Sequence, residues 1–178
     1  MTGLFILAMN FETRILARFP NNSIHEIQNE VLCNSLLLND LFPLIYHKNL
    51  TVAWRTAWIL EKIQLKNPEL FLSKTEELIK ALPNFKHQGS KRSVLKILEN
   101  TTFDQYPVAL INLCFDWLLS PKETIAVRAI CIKILHKVCL QEPDLTQELR
   151  LCLSELSSET SSGMRSIICN TLKKLIEK

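Results

Sequence analysis

Glycine is nearly missing from this chain: Gly3, Gly89 and Gly163 are the only three in 178 residues, near a terminus or between helical segments. Alternation of β-branched and polar residues is equally scarce, so no segment of useful length keeps the period of two that a strand needs. The six cysteines never stand as a C-x-x-C pair, and a chain of this length is not the short, loop-rich kind that disulfides hold together. Reduced thiols in a cytoplasmic setting are therefore expected. The apolar run Leu4–Met9 is too short to span a membrane, and no basic residue precedes it as an export signal requires. Gly-rich phosphate loops, H-E-x-x-H, G-x-S-x-G and deaminase patterns are absent. These absences leave a soluble chain without a recognisable catalytic motif, metal set or cofactor loop.

What the chain does contain is apolar residues at 47% with 22% charged residues, the balance of a folded domain. With strands disfavoured, an all-α fold follows. Four segments align on an arginine: TVAWRTAWILEKI, GSKRSVLKILEN, TIAVRAICIKILHKV and SSGMRSIICNTLKKL. Arg55, Arg92, Arg128 and Arg165 are separated by 37, 36 and 37 residues, a period typical of helical-hairpin repeats. The position after each arginine is small (Thr56, Ser93, Ala129, Ser166), which lets a neighbouring helix come close. Two apolar residues follow it, Ala57-Trp58, Val94-Leu95, Ile130-Cys131 and Ile167-Ile168. Each segment reads as the second helix of a hairpin, with Trp58 in a core column.

First helices are expected over Leu36–Tyr46, Pro68–Leu82, Asp104–Leu119 and Pro143–Leu156, with Pro43 and Pro107 early in theirs. Ser23-x-x-Glu26 and Ser120-Pro121-Lys122-Glu123 have the form of capping boxes, and Asn67-Pro68 and Ser162 are further candidate starts. One further helix pair over residues 3–33 makes residues 1–35 an N-terminal cap and 36–178 four repeats of a single domain, 1–178.

Leu41–Ile63 resembles a HEAT repeat, with a proline-bearing first helix, a short turn and Val-Arg opening the second helix; Val127-Arg128-Ala129 resembles it most. The resemblance extends over residues 36–178. It implies a right-handed α-α superhelix of about four to five hairpins, acting as a non-catalytic interaction scaffold. One column departs from the family. Where HEAT units often carry a turn aspartate, six residues before the arginine, this chain has Asn49, Lys86, Lys122 and Glu159.

Charge is distributed unevenly. The second-helix segments 50–66, 86–100, 121–139 and 163–178 carry +2, +3, +3 and +3, leaving −8 for the rest of a chain whose net charge is +3. If the second helices line a concave face, as in HEAT-like solenoids, that face is basic and favours an acidic protein or peptide partner. The arginines keep register and read as a structural ladder. Lys62, Lys96, Lys133 and Lys173 fall at different offsets from them and are solvent decoration or unit-specific contacts. Trp54, Lys91, Lys96, Lys133 and Lys137 are the candidate binding residues.

Other constellations compete with packing. Trp54, one turn from Trp58, and Trp117, beside Asp116, could stack on a base or a peptide anchor, or simply fill gaps between units. Cys131, His136 and Cys139 spread too widely along one helix to converge on zinc, and no fourth ligand is evident, so no metal is expected. His25, His47 and His87 stand near expected turns, where solvation suffices. A basic concavity would also suit nucleic acid, as in the DNA-alkylation-repeat glycosylases, with Asp116-Trp117 or Trp54-Arg55 in the lesion-facing roles. The chain is also similar to small bacterial all-helical proteins that sometimes carry an adenylosuccinate lyase label. Ser161-Ser162-Gly163-Met164 resembles that enzyme's signature loop, which continues with proline and lysine where this chain has Arg165-Ser166-Ile167.

Overall fold

The computed structural model describes residues 11–17, 21–157 and 161–176. Among them there is no strand; every regular element is helical. The α-helices are α1 (Phe11–Leu16), α2 (Asn21–Cys33), α3 (Leu38–Leu41), α4 (Leu50–Lys66), α5 (Thr75–Ala81), α6 (Gln88–Glu99), α7 (Val108–Leu119), α8 (Ile125–Gln141), α9 (Thr146–Ser157) and α10 (Ser162–Ile176). They group into two compact units, Met1–Asn100 and Thr101–Lys178. Of the expected N-terminal pair, α1 and α2 fall within 3–33, while residues 3–10 lie outside the described residues.

In the first unit α4 is the central rod, packed against α6, α2, α1 and the segment before it. Val52, Ala53, Ala57, Ile59, Leu60 and Ile63 bury the face that meets them. Each fully buried leucine or isoleucine there contributes about 1.5–3 kcal/mol relative to exposure. Two polar ties fix the neighbours. Gln28 Nε2 donates to the Lys62 carbonyl at 2.9 Å, and the buried Ser93 Oγ donates to Glu61 at 2.7 Å, so the small residue after Arg92 lies in the α4–α6 seam. The second unit repeats the theme. Here α7 packs on α8, and α8 and α9 on α10, with Leu110, Cys114, Leu118, Ile130, Cys131, Ile134, Leu135 and Ile168 in its core. Trp58 departs from its core column: it is half-buried, whereas Leu95, Cys131 and Ile168 are fully enclosed. Its indole stacks on Trp54, centroids 6.4 Å apart.

The first and second helices of the hairpins differ in kind. Second helices are continuous α-helices of 17, 12, 17 and 15 residues. In the first unit the first helices are short α turns bracketed by 3-10 segments: Ser35–Leu37, α3 and Phe42–Tyr46, then Pro68–Lys74, α5 and Leu82–Asn84. Proline explains the difference. Pro43, Pro68 and Pro83 each stand in the opening turn of a 3-10 segment, because a residue without an amide hydrogen restarts the ladder rather than continuing it. The third first helix begins at Val108, not Asp104, with Pro107 as an extended N-cap that keeps residue 106 out of α conformation.

Several caps lie elsewhere than the serine patterns indicate. Helix α2 already begins at Asn21, which puts Ser23 inside it. Ser120 closes a turn by accepting from the Lys122 amide at 3.3 Å, Pro121 lies outside any helix, and Thr124 caps α8. Ser161, one residue before the expected Ser162, accepts from Met164 N. Asn67-Pro68 does open a helical segment.

Candidate functional site

Each second helix starts from a side-chain cap. Asn49 accepts from Thr51 N at 2.9 Å, His87 Nδ1 from Gly89 N at 3.1 Å, Thr124 from Val127 N at 3.4 Å and Ser161 from Met164 N at 3.4 Å. The caps precede their arginines by six, five, four and four residues, so the cap slides while the arginine keeps register. With no turn aspartate to meet, two arginines bond carbonyls instead. Arg55 Nη1 donates to Ile15 O at 2.6 Å and Ala17 O at 3.4 Å, at the end of α1; Arg128 Nε donates to Leu118 O at 2.8 Å, at the end of α7. A helix's last carbonyls lack amide partners and carry its negative dipole end, so a guanidinium suits them twice over. Arg92 and Arg165 are exposed.

The candidate binding residues are differently placed. Trp54 is half-buried, stacked on Trp58 and on His87 (5.6 Å, 17°), with Arg55 over its ring at 5.8 Å. Lys91 is half-buried, and Lys96 forms an ion pair with Glu99 at 2.7 Å, the carboxylate being largely enclosed. On α8, Lys133 is exposed and Lys137, one turn on, is half-buried. Trp117 is buried and its neighbour Asp116 exposed, so these two side chains do not converge. Cys131 and Cys139 are buried beside a half-buried His136, and no metal-binding group of three or more such side chains exists among the described residues. A hydrogen bond with Cys131, then burial, pushes the Cys114 thiol well above its ordinary value. His25 lies within α2 on its exposed side rather than at a turn.

The sequence patterns passed over a cleft of ≈ 500 Å³ in the first unit, where the turns leading into α4 and α6 come together. Tyr46-His47-Lys48 stands on one side and Phe85-Lys86-His87 on the other. Tyr46 and Phe85 stack nearly parallel, centroids 5.9 Å apart and planes 6° off. Burial, and then a hydrogen bond to Glu77, pushes the Tyr46 phenol well above its ordinary value. His47 Nδ1 accepts from the Asn49 amide at 3.1 Å, and its Nε2 faces Glu12 at 3.4 Å. His87 uses Nδ1 likewise for the Gly89 amide, which places the ring proton on Nε2. Gly89 leaves room for this cap, since a Cβ there would lie 2.9 Å from two atoms of the His87 ring and displace it. Ser90, 1% exposed, lines the cleft, and its Oγ has no hydrogen-bond partner among the described residues. Such a buried orphan costs about 1–3 kcal/mol. A signal for this cleft did exist: an aromatic, a histidine and a lysine within three residues immediately before two second helices.

Hairpins whose second helices share an arginine register define the chain as a helical repeat protein. A family model, HEAT repeat domain, matches residues 11–175, and the chain belongs to that family. Nothing among curated proteins matches it, nor does any solved structure. HEAT repeats are helical scaffolds that commonly mediate protein interaction. No helix among the described residues is long and apolar enough to cross a membrane.

Proposed function

We propose that this chain is a non-catalytic scaffold in the cytoplasm whose basic second helices bind an acidic or extended protein segment. The observation that carries this reading is the charge of those helices. Within their observed bounds α4, α6, α8 and α10 carry +2, +2, +3 and +3, Lys86 and Lys122 belonging to turns instead. Positive charge gathered on one set of helices raises the local concentration of an anionic chain, and a repeat surface offers it many weak contacts rather than one deep site. Lys91, Lys96, Lys133 and Lys137, with Trp54 as an apolar anchor, are the contacts of this face; Lys96 also pairs with Glu99 at 2.7 Å. Of the arginine ladder, Arg55 and Arg128 tie their hairpins through carbonyl hydrogen bonds, while Arg92 and Arg165 lie exposed.

Fluorescence anisotropy with a labelled polyglutamate peptide and a single-stranded oligonucleotide of equal length tests the reading. Saturable peptide binding, lost when Lys91, Lys133 and Lys137 are all changed to Glu with helicity intact, supports it. Preference for the oligonucleotide, with an affinity falling steeply in salt, would transfer the face to nucleic acid. Turnover of adenylosuccinate that tracks the purified protein would replace both with an enzyme.

A further inference from the structure

We propose that the cleft between the two turns of the first unit binds a phosphate monoester. Lys48 and Lys86, one from each turn, line it, and among the described residues its lining includes no carboxylate, Glu12 and Glu77 standing against His47 and Tyr46. The turns place it at the amino ends of α4 and α6, helices of 17 and 12 residues whose dipoles add positive potential there. Those features alone would describe a solvated basic rim. What distinguishes this cleft is its wall: the buried Ser90 hydroxyl has no hydrogen-bond partner among the described residues. A buried hydroxyl left unpaired in the wall of a cleft lined by two lysines offers a donor to a ligand oxygen.

The donors specify the ligand's chemistry. Lys48, Lys86, Ser90 Oγ and His87 Nε2 together exceed what a single carboxylate uses, and their charge matches a dianion with three terminal oxygens. The stacked Tyr46 and Phe85 rings offer the organic part of the ester an apolar surface, which inorganic phosphate would not use. A volume of ≈ 500 Å³ falls within the range of small-ligand clefts and accommodates a phosphorylated side chain or a small metabolite phosphate. This site adjoins the second-helix face, since Trp54 stacks on His87, but its lysines stand in turns and it does not need that face to bind anything.

Isothermal titration of the full chain with phenyl phosphate, a phosphoserine hexapeptide, inorganic phosphate and phenol tests the proposal. One or both monoesters are expected to bind at least tenfold tighter than inorganic phosphate, and phenol not at all. The tighter of the two names the source: the hexapeptide a modified protein partner, phenyl phosphate a metabolite. Lys48→Glu with Lys86→Glu should weaken the monoester at least tenfold. Ser90→Ala should weaken it severalfold while leaving the melting temperature equal or higher, since it removes an unpaired buried hydroxyl. Absence of saturable binding, affinities unchanged in these variants, or equal binding of monoester and inorganic phosphate would overturn the assignment.

Discussion

Replacing Arg128 with alanine isolates what a ladder arginine does. Its Nε donates to the Leu118 carbonyl at 2.8 Å from a half-buried position. A hydrogen bond from a charged group contributes about 1.5–3 kcal/mol. The same guanidinium faces the carbonyl end of α7, which adds about 0.3–1 kcal/mol. Partial exposure reduces the sum, so Arg128→Ala should cost about 2 kcal/mol. For a chain of this size that lowers Tm by about 4–8 °C, and by more if the second unit melts alone. Lys133→Ala on the exposed face of the same helix, and Arg92→Ala, should stay within about 0.5 kcal/mol. Arg128→Lys keeps the charge without the directed Nε–H and should fall between. Circular dichroism at 222 nm during heating reads all four. If Arg128→Ala and Lys133→Ala melt within about 1 °C of each other, the structural role of the ladder is wrong.

Ser93→Ala should cost about 1–3 kcal/mol, because it leaves the buried Glu61 carboxylate without the hydroxyl 2.7 Å away; a urea midpoint within error of the wild type would refute that tie. Gly89→Ala should displace the His87 ring and so shift tryptophan emission through Trp54, with the lost cap, about 0.5–2 kcal/mol, partly offset by alanine's helix preference. Tyr46, with its phenol raised in the fold, contributes stability that is fully present below about pH 10, the ordinary tyrosine value, and fades as pH rises beyond it. In denaturant titrations between pH 8 and about 11, the stability difference between wild type and Tyr46→Phe should therefore stay constant up to about pH 10 and then shift as the wild type alone loses stability. A thiol reagent should modify the exposed Cys33 and Cys169 in the native chain and reach Cys114 and Cys131 only on unfolding.

The arginine register was readable because it is a property of spacing, and the helices it marks lie where the spacing puts them. Cap identity was less readable. Serine followed by glutamate at the right distance occurs at Ser120, yet Thr124 is the residue that reaches extended conformation just before the helix, and only backbone geometry distinguishes them. His87 as a cap lies outside the usual Ser, Thr, Asp and Asn preference and depends on Gly89 two residues later. The broken character of the first helices was partly legible through their prolines. Trp58 matched its column in hydrophobicity but not in volume. The cleft needed two turns, 39 residues apart from Tyr46 to Phe85, brought face to face, and one-dimensional periodicity does not report that.

The contrast between unbroken second helices and proline-punctuated first ones has a mechanical meaning. A 17-residue α-helix shares any local distortion along its whole ladder, whereas a wall of single turns yields at each restart. Amide protons should exchange earliest along Phe42–Tyr46, Pro68–Lys74 and Leu82–Asn84 and latest in α4. Under tension, the first unit would lengthen at these seams while its central rod stayed whole.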